Sequence, residues 1–456
     1  MRFLAAFFLI LVMAVPAAAQ TPQPDKPQAP GGQPITDEAQ RIWAKWGDAI
    51  FQIQTIDKNS GKKNSIGSGF QFSEDGMIAT NYHVVAEAIQ KPEGNRLEFL
   101  HDTLERGDLK VLIADVAHDL AILKMEKPGE VFVSLGTSDL PKGTRLFSLG
   151  NPHDIGFTII EGTFNGINKE SFIDKIHFSG ALNPGMSGGP ALGHNGKVVG
   201  VNVSTAGNLI SFLVPVEPLK ALLAEYQSQK EGFDFVKDSA TLIEKQLLDI
   251  QQKVMDRLFA KEWESVPFGP FMVPGRIDLA FKCWGETRDE EKMPVIYTPT
   301  GCNSQDRLFL GSKFDTGAML YRYDRIIGKD KLILPRFYSF YEGQYGSGFN
   351  TGGTEDDVTR YACNDSFIDL AGKRWKSSFC VRQYKKYRRL YDMQLYMALV
   401  GEGKHGLMVT QIAEGISRDN ALKLVQKFIG SITARAEDAP ATAAPPLQQA
   451  AEEETP

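Results

Sequence analysis

The chain lacks three features that would point to other classes of protein. Its 456 residues carry a net charge of only −6, which leaves no basic excess for a nucleic-acid-binding face. No segment after the first twenty residues approaches the ~18 continuous apolar residues of a membrane-spanning helix. No cysteine precedes Cys283, so any disulfide lies in the second half. The length predicts two domains. The modest charge and the lack of a later apolar span predict a soluble mature protein with no nucleic-acid partner.

Four cysteines are present, at positions 283, 302, 363 and 380. An even number suits an oxidising compartment, and four cysteines allow three disulfide pairings. Neighbours in sequence, Cys283–Cys302 and Cys363–Cys380, close short loops and are the predicted pairs, each contributing ~2–4 kcal/mol. A zinc site is the weaker alternative, because there is no C-x-x-C pair and the one histidine nearby is His405.

Residues 1–19 are predicted to be a signal peptide. Arg2 supplies a positive charge, residues 3–15 form a short apolar run, and residues 17–19 are alanines that suit signal peptidase. An uncleaved membrane anchor is the alternative. The prediction places the mature protein in the periplasm or outside the cell, with no stable membrane insertion after cleavage.

Composition divides the remaining chain into five segments. Residues 20–37 are a flexible Pro-rich linker, and residues 38–220 consist of short β-branched and aromatic runs that predict a β-sandwich or barrel. Residues 239–262 have the periodicity of an amphipathic linker helix. Residues 265–435 mix strands with a closing helix that Asp419 is predicted to cap, as an α+β domain of unknown role. Residues 436–456 are expected to be a disordered tail.

Three positions within the β-rich segment carry the residue types of nucleophilic catalysis: His83, Asp119 and Ser187. A serine hydroxyl is a poor nucleophile at neutral pH, so a base must take its proton during attack. Histidine suits that task, since its ordinary pKa is ~6.5. A carboxylate on the far ring nitrogen fixes the tautomer of the histidine. Each residue alone has an ordinary structural explanation, but their order and spacing after a signal peptide predict a catalytic triad.

The glycines around Ser187 predict an oxyanion hole. They allow an unusual backbone turn in which the N–H groups of Gly185 and Ser187 point at one spot and bind the oxyanion of the tetrahedral intermediate. The backbone N–H of Met186 lies in the same turn and is also assigned to the hole. This chemistry requires no cofactor and no metal.

These segments resemble those of trypsin-like peptidases of the HtrA/Deg type, over about residues 45–220. The matching motifs read TNYHVV, DLAILK and NPGMSGGP; the residue before the serine is usually asparagine in that family, and here it is Met186. The resemblance implies two perpendicular β-barrels with the triad between them. It also implies an exported endopeptidase that cleaves extended or unfolded protein segments through an acyl-enzyme. No PDZ pattern follows residue 220, so peptide sensing by such a domain is not implied.

The resemblance also suggests where substrate binds. Trypsin relatives select Lys or Arg with an acidic residue six places before the serine. Ala181 stands there in this sequence, which indicates an apolar pocket. The strand 210–214 resembles the edge that pairs with substrate backbone, and this makes Ser211 and Phe212 substrate-binding candidates; alternatively, Phe212 fills the second barrel. The expected partners are protein or peptide substrates, and a homo-oligomer is compatible with the sequence.

Several alternatives stay open. The chain could be a catalytically silent or latent binding protein on a protease fold, or a protease that makes one processing cut. The basic and aromatic run 385–389 suits either an anionic partner or an exposed strand edge. His118 adjoins Asp119 but is expected to point the other way, because neighbours in a strand face opposite sides. His153 lies in a loop that either gates the site or carries an ordinary surface histidine.

Overall fold

The structure is a computed structural model that describes residues 35–205, 207, 209–346 and 351–436. The predicted signal peptide, most of the predicted linker and almost all of the predicted tail lie outside the described residues. Within the described part of the chain, no helix is both long and apolar enough to cross a bilayer. This part comprises two β-barrels, a long connecting helix and a separate sheet domain.

The first barrel closes six antiparallel strands on themselves. In chain order the strands are β1 (Ile50–Asp57), β2 (Lys63–Gln71), β3 (Met77–Thr80), β4 (Asn95–Leu100), β5 (Arg106–Asp115) and β6 (Leu120–Met125). Aliphatic and aromatic side chains such as Ile53, Phe70 and Ile122 are fully buried in it, as expected for residues that favour strands. α1 (Ile35–Trp46) precedes the barrel, and α2 (Tyr82–Gln90) connects β3 to β4.

The second barrel also has six antiparallel strands. In chain order they are β7 (Arg145–Gly150), β8 (Thr158–Ile167), β9 (Ile176–Phe178), β10 (Pro190–Leu192), β11 (Val198–Thr205) and β12 (Ser211–Pro215). They pair in the order β10-β11-β12-β9-β8-β7 and close on themselves. Its core contains Leu146, Phe164 and Phe178. α3 (Val216–Gln227) follows, with Pro218 in its first turn. The two closed barrels confirm the predicted double-barrel fold.

The connecting helix α4 (Phe235–Phe259) begins earlier than its predicted start at residue 239. Asp234 caps it by accepting a hydrogen bond from the Val236 N–H at 3.2 Å, a common N-terminal arrangement. The helix is docked on the first barrel, because the Gln246 amide donates to the Ala114 carbonyl at 2.8 Å. The helix is therefore packed against the first barrel and is not a flexible linker to the C-terminal domain.

The C-terminal domain is built on a seven-stranded antiparallel sheet in the order β15-β16-β19-β23-β22-β21-β20. A small sheet, β13-β14-β24, and a hairpin, β17–β18, accompany it. The elements are β13 (Ser265–Phe268), β14 (Phe271–Pro274), β15 (Phe281–Gly285), β16 (Val295–Ser304), β17 (Leu308–Gly311), β18 (Phe314–Thr316), β19 (Met319–Gly328), α5 (Leu334–Gln344), β20 (Ala362–Leu370), β21 (Lys373–Gln383), β22 (Tyr391–Leu399), β23 (His405–Ile416), α6 (Arg418–Gly430) and β24 (Thr433–Ala434). The helices on this sheet agree with the predicted α+β class.

Both predicted disulfides are present, Cys283–Cys302 and Cys363–Cys380. The first joins β15 to β16, and the second joins β20 to β21, each between residues directly opposite in the ladder. β15 and β20 are the two edge strands of the seven-stranded sheet. Each disulfide therefore ties an edge strand to its neighbour.

The cap of α6 differs from the prediction. Asp419 lies inside the first turn, and the capping side chain is that of Ser417, which accepts a hydrogen bond from the Asn420 N–H at 3.4 Å. Serine and aspartate are similarly good caps, so residue type alone does not favour Asp419 over Ser417, which the prediction missed.

The hairpin β17–β18 packs against the barrels. Its buried residues Leu308, Leu310 and Phe314 belong to the same apolar cluster as the core of the first barrel. The loop between β8 and β9 adds polar contacts, since the Phe172 N–H donates to Asp306 at 2.6 Å. The C-terminal domain consequently lies directly beside the helix α2, which carries the predicted general base His83 in its first turn.

Candidate active site

His83 and Asp119 form the first half of the predicted triad. The Nδ1 of His83 lies 2.6 Å from Oδ2 of Asp119, and the backbone N–H of His83 donates to Oδ1 at 2.8 Å. Asp119 directly precedes β6 with a left-handed φ of 55°, and its carbonyl accepts a hydrogen bond from the Asn81 side chain at 2.8 Å. Because both carboxylate oxygens bind His83, the ring is held with Nε2 free to act as a base.

The electrostatic surroundings of His83 suit a general base. Burial alone lowers the pKa of His83, but the charge and hydrogen bond of Asp119 reverse that effect, so the net shift raises the pKa above its ordinary value. The carboxylate therefore stabilises the imidazolium form, which is the state that the histidine enters on taking a proton.

Ser187 lies half-buried between the two barrels. Its carbonyl accepts a hydrogen bond from the Ser68 N–H at 2.7 Å. Its hydroxyl contacts the Val203 carbonyl at 3.4 Å, and no hydrogen bond within the described residues joins it to His83. Contacts between nucleophile and base are often long without substrate, so the role of Ser187 in the triad stays a prediction.

The turn before Ser187 carries two backbone N–H groups that could serve the predicted oxyanion hole. Gly185 has a φ of 97°, and a side chain there would clash with the Asn151 carbonyl. Among the described residues, the N–H groups of Gly185 and Ser187 have no hydrogen-bond acceptor. Two unpaired donors in one turn are the arrangement that binds an oxyanion.

The assignment of Met186 to the oxyanion hole is corrected. Its N–H donates to the Asn183 carbonyl at 3.0 Å and closes the turn, so it is not available to a substrate. The Met186 side chain is fully buried and packs in the core of the second barrel with Phe178 and Leu213. An apolar residue at this position therefore serves packing.

Sequence reasoning missed Ser68, which joins the oxyanion turn to the first barrel. The Ser68 hydroxyl donates to the Gly185 carbonyl at 2.7 Å and accepts from the Asn151 N–H at 2.9 Å. The loop after β7 also holds this turn, because the His153 N–H donates to the Pro184 carbonyl at 2.8 Å. These partners lie more than 80 residues from Ser68, so no local pattern marks the serine.

We expect Ser68→Ala to lower kcat/KM for peptide cleavage by up to about 10²-fold, the cost of losing one oxyanion donor. The reason is that the turn loses its side-chain link to the first barrel, although the bond from the Ser68 N–H to the Ser187 carbonyl remains. Ser239→Ala is the matched control, because this buried hydroxyl also bonds to a carbonyl, that of Val236 at 2.9 Å, but in α4. Steady-state kinetics and thermal unfolding of both variants test this. An equal loss of kcat/KM in the two would contradict the positioning role.

The predicted substrate-pairing edge is also corrected. β12 is paired on both sides, since Phe212 lies opposite Ser204 of β11 and opposite His177 of β9. The Ser211 hydroxyl is buried and donates to the Gly180 carbonyl at 2.7 Å. Neither residue therefore offers an open edge. Ala181 is exposed, and its role in a pocket stays a prediction.

The far end of β11 offers the open edge instead. Pairing with β10 reaches Val201 and stops there, and the ladder with β12 has an irregularity between Asn202 and Ser204. The carbonyl of Val203 is the one that contacts the Ser187 hydroxyl. Ser204 and Thr205 are exposed. An extended peptide pairing with this edge would lie beside the nucleophile.

His118 forms a second histidine–aspartate pair outside this site. Its Nδ1 lies 2.6 Å from Oδ2 of Asp115, so the ring is engaged by a different carboxylate than that of Asp119. Burial lowers the pKa of His118, whereas Asp115 raises it, and the net shift is upward. His118 is therefore held by Asp115 and is not part of the His83–Asp119 pair.

Comparison with known proteins shows that part of the chain is similar to serine peptidases. Residues 67–201 match the family model described as a trypsin-like peptidase domain. A "probable periplasmic serine endoprotease DegP-like" of Chlamydia trachomatis is 37% identical over 160 residues, which are 33% of this chain and 31% of that protein. A protein of the same description from Ectopseudomonas mendocina is 34% identical over 180 residues, 37% of this chain and 36% of that protein.

Among solved structures, that titled "Crystal structure of Deg5" is 28% identical, with a TM-score of 0.36, and covers 41% of this chain and 92% of that one. The chain spans about a third of the length of the curated relatives named above. The family match does not extend past residue 201, and the C-terminal domain lies outside it. The first half of this chain therefore carries a trypsin-like peptidase domain, similar in sequence to DegP-like serine endoproteases.

Proposed function

We propose that this protein is an exported serine endopeptidase that cleaves extended or unfolded segments of proteins. The observation that carries the proposal is the hydrogen-bonded pair of His83 and Asp119, 2.6 Å apart. The two unpaired backbone donors at Gly185 and Ser187 support it. The similarity to proteins described as periplasmic endoproteases and the predicted signal peptide support a periplasmic location.

The first chemical step is attack by Oγ of Ser187 on the carbonyl carbon of the scissile bond. His83 takes the hydroxyl proton on Nε2, and Asp119 stabilises the imidazolium that results. The carbonyl oxygen becomes an oxyanion and accepts hydrogen bonds from the N–H groups of Gly185 and Ser187. His83 then gives its proton to the leaving amine as the C–N bond breaks, which leaves an acyl-enzyme on Ser187.

The second step reverses these roles with water as the nucleophile. His83 removes a proton from the water as it attacks the ester carbonyl. The tetrahedral intermediate is held by the same two N–H groups and collapses to release the carboxylic acid. Ser187 recovers its proton from His83. The reaction uses only side chains and backbone of this chain, together with water.

Substrate recognition is proposed to rest on the open end of β11. A peptide in extended form adds as a strand next to residues 203–205, and the backbone hydrogen bonds then accept many sequences. Ala181 supports an apolar pocket for the residue before the cleaved bond. Folded proteins cannot present such a strand, so the proposed substrates are extended or unfolded segments.

Labelling by a serine-directed fluorophosphonate tests the proposal, with Ser187→Ala as control and digestion of β-casein as second readout. We expect labelling of the parent protein, none of the variant, and digestion by the parent alone. The Ser187 hydroxyl rests on the Val203 carbonyl, which makes a latent protease-fold binding protein the second candidate. Absence of labelling would favour that candidate, whereas labelling without digestion would mean a narrow substrate range, such as one processing cut.

A further inference from the structure

The ring of Phe309, in β17 of the C-terminal domain, lies against the imidazole of His83. The two ring centroids are 6.0 Å apart, and the planes are inclined at 69° in an edge-to-face arrangement. Edge-to-face contact at this separation is a favourable geometry for aromatic rings. Phe309 is half-buried, so part of its side chain remains exposed.

The hairpin that carries Phe309 is firmly held. Leu308 and Leu310 are buried with the core of the first barrel. In β18 the ring of Phe314 contacts that of Tyr384 at 4.9 Å, and the hydroxyls of Thr316 and Tyr384 are 2.6 Å apart. Buried and hydrogen-bonded anchors of this kind fix the position of a loop, so the location of Phe309 follows from packing on both sides.

The other end of α2 is held by the same domain. Gln90, its last residue, donates to the Tyr387 hydroxyl at 3.0 Å and accepts from Lys386. Tyr387 is only 2% exposed, and Arg389 binds Glu244 of α4 at 2.9 Å. The basic run 385–389 is therefore a contact between domains. The helix that carries His83 in its first turn thus contacts the C-terminal domain at both ends.

We propose that Phe309 is a specificity-determining residue and forms an apolar wall of the substrate cleft beside His83. The inference rests on the proposed endopeptidase function and adds a substrate class to it, polypeptides with a bulky apolar side chain next to the scissile bond. The C-terminal domain then contributes directly to substrate selection.

The distances set the position of this wall. A residue of an extended peptide advances ~3.3 Å along the strand, so a ring centred 6.0 Å from the base borders the side chains within about two residues of the cleaved bond. A large apolar side chain there buries surface against Phe309, whereas alanine reaches less of it. Such contacts discriminate between side chains by about 10–100-fold in kcat/KM.

The test uses the full chain and four proteins: the parent, Phe309→Ala, Phe309→Leu and Phe367→Ala. Phe367 is the matched control, because it is a phenylalanine of the same domain that is 57% exposed and lies in β20. The substrates are fluorogenic peptides that differ only by leucine or alanine at each of the two positions on either side of the cleaved bond. Fluorophosphonate labelling rates are measured in parallel.

We expect the leucine-to-alanine ratio of kcat/KM at one of these positions to fall about 10-fold or more in Phe309→Ala. The ratio should be largely kept in Phe309→Leu and unchanged in Phe367→Ala. All four proteins should be labelled by the fluorophosphonate at similar rates. A rise in cleavage of all peptides by Phe309→Ala would overturn the inference, because Phe309 would then be an obstruction. Identical ratios in Phe309→Ala and Phe367→Ala would also overturn it. If the parent itself is not labelled, the endopeptidase function fails, and this inference falls with it.

Discussion

His83→Ala is expected to lower kcat/KM for peptide cleavage about 10⁶-fold, the loss seen when the histidine of a comparable serine protease is removed. Without the imidazole, no group within the described cleft can take the proton of Ser187 as the hydroxyl attacks. The oxyanion donors remain, so a small residual rate over uncatalysed hydrolysis should persist. Steady-state kinetics on a fluorogenic peptide measure the effect.

His118→Ala provides a control that the chain itself supplies. His118 is paired with Asp115 at 2.6 Å, the same separation as between His83 and Asp119, but it lies in a different hydrogen-bond network. This variant should keep the parent kcat/KM. If His118→Ala were as inactive as His83→Ala, the assignment of the general base would be wrong.

Asp119→Asn is expected to lower kcat about 10⁴-fold while leaving the fold intact. An asparagine amide can donate to Nδ1 of His83, and this favours the tautomer that carries its proton on Nε2. That tautomer cannot accept the proton of Ser187. The matched variant Asp115→Asn, which changes the carboxylate beside His118, should retain activity. A loss of less than about tenfold in Asp119→Asn would contradict the role given to Asp119.

Asp119→Asn should also shift the pH dependence of kcat/KM. His83 acts as a base only when neutral, so activity of the parent falls as the pH drops through the pKa of His83, which Asp119 holds above its ordinary value. Without that charge, the burial of His83 remains and lowers its pKa. The acid limb of kcat/KM should therefore shift to lower pH in Asp119→Asn. A shift in the opposite direction would show that the carboxylate does not stabilise the imidazolium.

The sequence was sufficient where function depends on local pattern. The class of the second domain and both disulfides follow from strand-like runs and the spacing of cysteines, whereas the double barrel follows from the resemblance to a family. The pairing of His83 with Asp119 is a long-range contact, but the same resemblance made it predictable. The triad could be predicted because each member lies in a distinctive short segment.

The sequence was insufficient where the environment of a residue depends on the residues packed around it in space. Whether Phe212 lies at an edge depends on β9 and β11, which flank it, and not on its own alternation. The N–H of Met186 is occupied by a turn partner three residues away, which composition does not show. Tyr387 is separated from Gln90 by 297 residues, so the charges around it suggested an exposed surface although its ring is buried.

The contact between Phe309 and His83 also joins two residues that the ribosome makes at different times. The ribosome makes the chain from its N-terminus, and Phe309 is added more than two hundred residues after His83. At roughly 5–20 residues per second, this interval is on the order of 10–50 s. The last barrel strand ends at Pro215, so only in the later part of this interval are both barrels synthesised while Phe309 is still missing. The predicted nucleophile and base are therefore made before the proposed wall beside them, which comes from the domain made last.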